Sequence, residues 1–142
     1  MSRSYPTRPY VGVGAVIWRD DKFLLIQRGK PPREREWSLP GGAQHVGETV
    51  RETCLREIKE ETGLTVEITG LLDVIDGIFK DGDGQVEHHY TLVDFTARWV
   101  SGDAKAADDV TDVRWVSLDD LGDYGLWEET ERVIRKSATK DW

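Results

Sequence analysis

The residues GAQHVGETVRETCLREIKEETGL, at positions 42–64, decide most of what this chain can be. A glycine-rich loop at 39–42, LPGG, leads into a stretch with helical character. Glu57 and Glu61 are one helical turn apart and share a face, and Glu60 stands close beside them. Like charges at helical spacing repel one another, so a strongly positive group is expected among the three carboxylates. A hard divalent cation with oxygen ligands, Mg²⁺ above all, fits that description.

This segment resembles the Nudix box, the signature GX5EX7REUXEEXGU in which U is an aliphatic residue. Gly42 is separated by five residues from Glu48, and seven more lead to the run REIKEETGL at 56–64. Every fixed position is met, and Ile58 and Leu64 fill both U positions. The box covers only 23 of the 142 residues, but so many matches at fixed spacing are far more specific than a lone glycine-rich loop.

The pattern along the chain predicts a mixed sheet flanked by helices, of the α/β or α+β class. β-Branched and aromatic residues indicate strands at 10–18, 23–27, 37–39, 85–100 and 112–116, and one or two more within 65–79. The sequence DGDG at 81–84 is typical of a hairpin turn. A box helix is expected to begin at Thr49, which has capping-box spacing to Glu52, and to end at Gly63. A helical turn at 117–121 and a helix at 126–136 complete the pattern. The resemblance implies the α/β/α sandwich of the Nudix family, with the box as a loop–helix–loop.

Composition bounds the class of protein. A length of 142 residues favours one domain, here 1–142, with loosely held tails expected at 1–8 and 137–142. The net charge of −8 argues against general nucleic-acid binding. Neither a signal peptide nor an apolar run long enough to span a membrane is recognisable, so a cytoplasmic protein without membrane contact is expected. The single cysteine, Cys54, excludes an internal disulfide and is expected to be a buried thiol.

Charge is unevenly distributed along the chain. Residues 1–37 hold eight Lys/Arg and four Asp/Glu, a net charge of +4. Residues 38–142 hold eleven Lys/Arg and twenty-three Asp/Glu, a net charge of −12. A basic cluster that includes Arg28 and Arg35 lies just ahead of the glycine-rich loop. Either its members contact substrate phosphates, or they form a solvated loop that only balances acidic neighbours.

The resemblance also implies roles for individual residues. By position in the box, Glu60 and Glu61 are metal ligands and Glu57 is a ligand or the general base. Arg56 corresponds to the family arginine that orients a carboxylate, and the carbonyl of Gly42 completes the metal shell. Glu57, Arg56 and Glu60 therefore form the expected catalytic set. Without the box, the same charges would describe a salt-bridged surface helix, since Arg56 and Glu60 form an i, i+4 pair.

Residues outside these positions allow weaker hypotheses. Glu48 either makes an orienting contact within the loop–helix unit or stabilises the helix N-terminus, with a weaker prospect of substrate contact. Glu87 is a candidate for an additional ligand or base beyond the box. Trp37, like Trp18 or Phe79, could stack on a nucleobase, although core packing is the default for each.

Nudix enzymes typically cleave a pyrophosphate in a nucleoside diphosphate linked to another moiety. Similarity to short bacterial members favours ADP-ribose or a nucleotide sugar as substrate, with Mg²⁺ as the cofactor and Mn²⁺ as its substitute. The alternatives are a house-cleaning hydrolase of nucleoside triphosphates, oxidised ones included, and a non-catalytic nucleotide-binding regulator. The proline that marks the larger ADP-ribose hydrolases downstream of the box is absent, because no proline follows Pro40. Dimers are common in the family, so a homodimer is compatible with the resemblance.

Overall fold

A computed structural model describes residues 3–30, 33–139 and 142. Within these ranges the chain forms a seven-stranded sheet, two α-helices and a 3₁₀ helix. The strands are β1 (Tyr10–Arg19), β2 (Lys22–Arg28), β3 (Trp37–Ser38), β4 (Gly41–Ala43), β5 (Thr65–Lys80), β6 (Val86–Ser101) and β7 (Val110–Ser117). The helices are α1 (Val50–Thr62) and α2 (Glu128–Ser137), and the 3₁₀ helix is Leu118–Tyr124.

The sheet is mixed, as the sequence pattern predicts. Its order is β3-β2-β1-β6-β5, with β4 also pairing with β1 and β7 with β2. β1 runs parallel to β6 from the pair Tyr10–Tyr90 to the pair Trp18–Arg98, and the other pairings are antiparallel. The DGDG turn joins β5 to β6 where it was expected.

Helices cover both faces of the sheet, which confirms the sandwich. Because successive side chains of a strand point to opposite faces, Val13 and Ile17 of β1 join the core cluster that contains Cys54 and Ile58 of α1. Val16 of the same strand joins the second cluster, which α2 closes. Cys54 is buried, as predicted, and burial raises the pKa of its thiol to about 12. A thiol held neutral in this way is a core residue and not a nucleophile.

The ends of α1 follow the local sequence signals. The backbone N–H of Glu52 donates to Thr49 Oγ1 at 3.1 Å, and the backbone N–H of Thr49 donates to Glu52 Oε1 at 2.9 Å. Gly63 ends the helix in the left-handed conformation, with φ of 76°. The capping box and the glycine cap are both confirmed, so α1 carries the box glutamates in a defined register.

β4 was not predicted, because its three residues, two of them glycine, have little strand propensity of their own. The strand exists because the glycine-rich loop pairs with β1, Gly42 opposite Val13 and Gly41 opposite Gly14. A Cβ atom at Gly41 would overlap the carbonyl oxygen of Val13. Only glycine allows this close approach, which places the loop directly against β1 and α1.

Two residues of the segments expected to be loose tails, 1–8 and 137–142, make defined hydrogen bonds. Ser137 is the last residue of α2 and is buried, and its Oγ accepts the indole N–H of Trp18 at 2.9 Å. At the N-terminus, the backbone N–H of Tyr5 donates to the carbonyl of Glu87 at 2.8 Å. Residues 1–2 and 140–141 lie outside the described ranges. Among the described helices, none has the length and apolarity needed to cross a bilayer.

Candidate active site

The glycine-rich loop and α1 meet through Glu57 and Glu61. The backbone N–H of Gly41 donates to Glu61 Oε1 at 2.8 Å. A Cβ atom at Gly42 would lie 2.8 Å from Glu57 Oε1 and closer still to its Cδ and Oε2. The backbone of β4 therefore rests on both carboxylates, and the missing side chain at Gly42 creates the space that Glu57 occupies.

Arg56 organises the box from the side of the helix. Its Nε and Nη2 donate to the two carboxylate oxygens of Glu48 at 2.6 and 3.0 Å. Its Nη1 donates to Glu57 Oε1 at 2.7 Å and to Glu60 Oε2 at 3.2 Å, and Nη2 also reaches the carbonyl of Ala43 at 3.1 Å. All five N–H donors of the guanidinium therefore have a partner. Arg56 holds carboxylates in place and has no donor left for a ligand.

Glu48 is the anchor of this network. Besides its paired bonds with Arg56, its Oε1 accepts the backbone N–H of His45 at 2.9 Å and the hydroxyl of Thr53 at 3.0 Å. These bonds, with that of Arg56 the largest, lower the pKa of Glu48 to about 2. Of the roles considered for Glu48, the geometry matches the orienting contact within the loop–helix unit.

A cavity of about 220 Å³ opens where the loop meets α1. Gly41, Gly42, Glu57 and Glu61 form one side of its wall, and Asp108 and Asp109, in the loop before β7, also line it. Glu60 is not part of the wall, and its side chain is 46% exposed. Positive charge reaches the cavity from Arg3 and Arg28.

Burial and mutual repulsion act on the two inward-facing glutamates. Burial raises the pKa of Glu61 to about 8, and the negative charges of Glu57 and Asp108 raise it further. The hydrogen bond from the Gly41 N–H and the charge of Arg28 act in the opposite direction. Burial also raises the pKa of Glu57, with Glu60 and Asp108 adding to the effect and Arg56 opposing it. A group of carboxylates in such a setting is stabilised in its ionised form by a cation.

The donor set fits a hard divalent metal ion. Within the described part of the chain, no three His, Cys, Asp or Glu side chains form a ready-made metal cluster. The reason is visible in the contacts, since Arg56 binds Glu57 and Glu60 while the Gly41 N–H binds Glu61. Carboxylate and carbonyl oxygens are nevertheless the ligands that Mg²⁺ and Mn²⁺ prefer. Glu57 and Glu61 both line the cavity in which such an ion would lie.

The sequence interpretation assigned no role to Asp108 and Asp109, which lie between the strands predicted at 85–100 and 112–116. The turn that presents them is tied to α1, because the backbone N–H of Ala107 donates to the carbonyl of Glu61 at 3.0 Å. Asp108 has a left-handed backbone with φ of 56°, and Asp109 pairs with Lys30 at 2.7 Å. Two adjacent aspartates before a strand are the only sequence signal, and they do not reveal that the loop folds back onto the box helix.

Several predicted residues lie elsewhere. Arg28 lines both the acidic cavity and a second groove of about 460 Å³, whereas Arg35 lines only that groove. Trp37 packs edge-on against Tyr124, with ring centroids 5.3 Å apart. The Glu87 carboxylate lies 3.8 Å from His88 Nε2 and outside the cavity wall. The structure therefore brings Arg28 to the box glutamates but not Arg35, Trp37 or Glu87.

Comparison with known proteins agrees with this geometry. The family model of the NUDIX domain matches residues 8–137, nearly the whole chain. This protein belongs to the Nudix hydrolase family. It is therefore an enzyme of the pyrophosphohydrolase type.

Three relatives place it within the family. An ADP-ribose pyrophosphatase of Methanocaldococcus jannaschii is 37% identical over 127 residues, which cover 89% of this chain and 72% of that protein. An 8-oxo-(d)GTP phosphatase of Mycolicibacterium smegmatis is 29% identical over 87% of this chain, which spans only 39% of that protein. The crystal structure of a MutT Nudix hydrolase from Burkholderia pseudomallei has a TM-score of 0.79 at 33% identity. The similarity covers 91% of this chain and 98% of the Burkholderia chain.

Proposed function

We propose that this Nudix hydrolase cleaves, with Mg²⁺, the pyrophosphate bond of a nucleoside diphosphate linked to another moiety, ADP-ribose first. The observation that carries the metal-dependent reaction is the convergence of Glu57, Glu61 and Asp108 on one cavity beneath the backbone of Gly41 and Gly42. The similarity to the archaeal ADP-ribose pyrophosphatase supports the choice of substrate.

The glutamates of α1 would hold the metal ion. Glu57 and Glu61 line the cavity, and Glu60, which lies outside its wall, would complete the set after a change of rotamer. A bound divalent ion neutralises phosphate charge and lowers the pKa of its water. Glu57 binds Arg56 through Oε1, and its Oε2 faces Gly42. Glu57 is therefore available either as a ligand or as the acceptor of a proton from the attacking water. The carbonyl of Gly42 is a further oxygen donor in this proposal.

Arg56 and Glu48 act through other residues. Because every N–H of Arg56 is already used, its task is to fix the orientation of Glu57 and Glu60. Glu48 in turn fixes Arg56 through two bonds. Partners of this kind commonly change metal affinity by about 10- to 100-fold when they are removed.

The nucleoside end of the substrate requires a flat apolar partner. Trp18 packs against Phe23 in the core, and Trp37 contacts Tyr124. Phe79 is half-buried, lies 5.4 Å from Trp127 and carries the guanidinium of Arg33 at 4.1 Å from its ring. Trp37 also has an arginine over its ring, Arg114 at 5.1 Å from the centroid, but Phe79 has the closer arginine contact and lacks the edge-on packing that holds Trp37 against Tyr124. A base could stack on Phe79 by replacing Arg33.

The test is hydrolysis of a substrate panel with and without Mg²⁺. ADP-ribose, nucleotide sugars, diadenosine polyphosphates, NADH and normal and 8-oxo triphosphates are compared at equal concentration. ADP-ribose is expected to yield AMP and ribose 5-phosphate, and EDTA is expected to abolish turnover. Glu60→Gln and Glu61→Gln should each lose turnover with the fold retained. Glu67→Gln is the matched control, because Glu67 is an exposed glutamate on β5 that pairs with Arg98.

A second candidate is pyrophosphate release from oxidised nucleoside triphosphates, which the similarity to the mycobacterial 8-oxo-(d)GTP phosphatase favours. Fast release of pyrophosphate from 8-oxo-dGTP without cleavage of ADP-ribose would replace the first choice by this one. Retained activity in Glu60→Gln and Glu61→Gln would instead contradict the metal site itself.

A further inference from the structure

The N-terminal segment before β1 is bound to the β5–β6 hairpin. The backbone N–H of Tyr5 donates to the carbonyl of Glu87 at 2.8 Å, and its phenol donates to Asp81 Oδ2 at 2.9 Å. Asp81 belongs to the turn between the strands, and Glu87 is the second residue of β6. Tyr5 is thus held at two points of the hairpin, through its backbone and through its side chain.

This anchoring brings Arg3 to the acidic cavity. Arg3 lines the same cavity as Gly41, Gly42, Glu57 and Glu61. Its guanidinium lies 5.9 Å from the centroid of the Tyr10 ring, which gives it an aromatic contact beside the cavity. Arg8 lies 5.4 Å from the same ring but does not line the cavity. Both arginines therefore contact the Tyr10 ring, and of the two only Arg3 lines the cavity.

The charges around the cavity make an additional cation useful. Glu57, Glu61 and Asp108 line it, and a diphosphate adds further negative charge. Within the described ranges, Arg3 forms no ion pair with a carboxylate, whereas the neighbouring Lys30 is paired with Asp109 at 2.7 Å. A guanidinium can bind phosphate through two parallel hydrogen bonds, which makes arginine well suited to such a position.

We infer that Arg3 is a substrate-binding residue that contacts the diphosphate of the substrate, and that Tyr5 positions it from the hairpin. The inference rests on the proposed function, because it assumes that the substrate occupies the cavity beside the box glutamates. It assigns to a segment outside the box a cation that acts beside the metal ion and beside Arg28, which lines the same cavity.

The experiment compares Arg3→Ala and Arg3→Lys with Arg8→Ala as the matched control. Steady-state kinetics on ADP-ribose give kcat and KM, and calorimetry gives the Kd of inorganic pyrophosphate in the presence of Mg²⁺. Arg3→Ala should raise both KM and the pyrophosphate Kd by about 10-fold or more, the size expected for a lost hydrogen bond between charged groups. Its kcat should stay close to that of the unmodified protein. Arg3→Lys should give values of KM and pyrophosphate Kd between those of Arg3→Ala and the unmodified protein. Arg8→Ala should change neither KM nor the pyrophosphate Kd.

The outcomes separate the two proposals. If the unmodified protein turns over ADP-ribose and binds pyrophosphate while Arg3→Ala equals Arg8→Ala in both constants, the assignment of Arg3 is wrong and the proposed function stands. A lower kcat with unchanged KM and pyrophosphate Kd would also overturn the assignment, because the contact would not be with the bound diphosphate. If the unmodified protein neither cleaves any substrate of the panel nor binds pyrophosphate, both proposals fall. Thermal unfolding of each variant checks that the fold is intact.

Discussion

Replacing Gly42 by alanine tests the central geometric feature of the site. The added methyl carbon would lie 2.8 Å from Glu57 Oε1 and nearer still to the other carboxyl atoms. Real Cβ atoms do not approach neighbours so closely, and therefore one group has to move. The obstacle is the free end of a flexible side chain, so Glu57 is expected to turn away while β4 keeps its pairing with Val13.

The cost can be worked out from the contacts that are lost. When Glu57 turns away, its 2.7 Å bond with Arg56 is broken, and a hydrogen bond between charged groups contributes about 1.5–3 kcal/mol. The alanine recovers about 0.4–1 kcal/mol by restricting the unfolded chain. The net loss of about 1–2 kcal/mol should lower Tm by only a few degrees, roughly 3–8 °C for a domain of this size. A catalytic group misplaced by about 1 Å, in contrast, costs on the order of 100-fold in rate.

The assay measures kcat/KM on ADP-ribose, Mn²⁺ affinity by calorimetry and Tm for a set of glycine variants. Gly82→Ala and Gly122→Ala are the matched controls, because a Cβ at either position meets no atom within 4 Å. Both should keep activity and Tm. Gly41→Ala is the opposite control, because its Cβ would meet the backbone of Val13, and it should lose most of its stability together with its activity.

The result that refutes the reasoning is Gly42→Ala with activity within about threefold of the unmodified protein, since a displaced Glu57 should cost far more. A fall in Tm as large as that of Gly41→Ala would also contradict it, because the clash would then be with the backbone fold and not with a movable carboxylate.

Two further predictions concern single carboxylates. Asn, like Asp, tolerates the left-handed backbone at position 108, and Asp108→Asn should lower both Mn²⁺ affinity and kcat by about 10-fold or more. Asp109→Asn, on the Lys30 side, should change both constants by less than about threefold. Equal effects of the two substitutions on Mn²⁺ affinity and kcat would show that Asp108 is not part of the site. Asp94 is buried in the sheet, and burial, with the nearby charge of Asp73, raises its pKa from 3.8 to about 6. Its ionised form is therefore disfavoured in the folded protein, so that native stability falls by about 2 kcal/mol as pH rises from about 4 to above 6. The gain in unfolding free energy of Asp94→Asn over the unmodified protein, measured by denaturant titration, should accordingly be about 2 kcal/mol larger at pH 8 than at pH 4. A gain independent of pH would contradict the burial argument.

The parts of the fold that the sequence predicts are those controlled by neighbours along the chain. The ends of α1 depend on Thr49, Glu52 and Gly63, which act within a few residues of the helix. The turn at 81–84 depends on Asp81, whose Oδ1 accepts the backbone N–H groups of Asp83 and Gln85. Such signals can be recognised without knowing what packs against them. The strands between them are predicted from the alternation of apolar and polar residues and from composition.

The parts that could not be predicted depend on pairings between distant segments. β4 contains two glycines and becomes a strand only because β1 offers it an edge. The parallel pairing of β1 with β6 joins residues about eighty positions apart, such as Tyr10 and Tyr90. Nothing in the local composition of either strand specifies that partner.

For the site, the sequence by itself determined that carboxylates at 57, 60 and 61 would share one region of a helix behind a glycine-rich loop, because helical spacing and the box pattern are properties of consecutive residues. Only the tertiary structure decided that Glu57 and Glu61 line a cavity while Glu60 is exposed outside its wall. It also decided that Asp108 and Arg3 complete the cavity wall, whereas Arg35, Trp37 and Glu87 lie elsewhere. The physical reason is that a loop and an N-terminal segment acquire their positions from hydrogen bonds to α1 and to the β5–β6 hairpin, which exist only once the chain has folded.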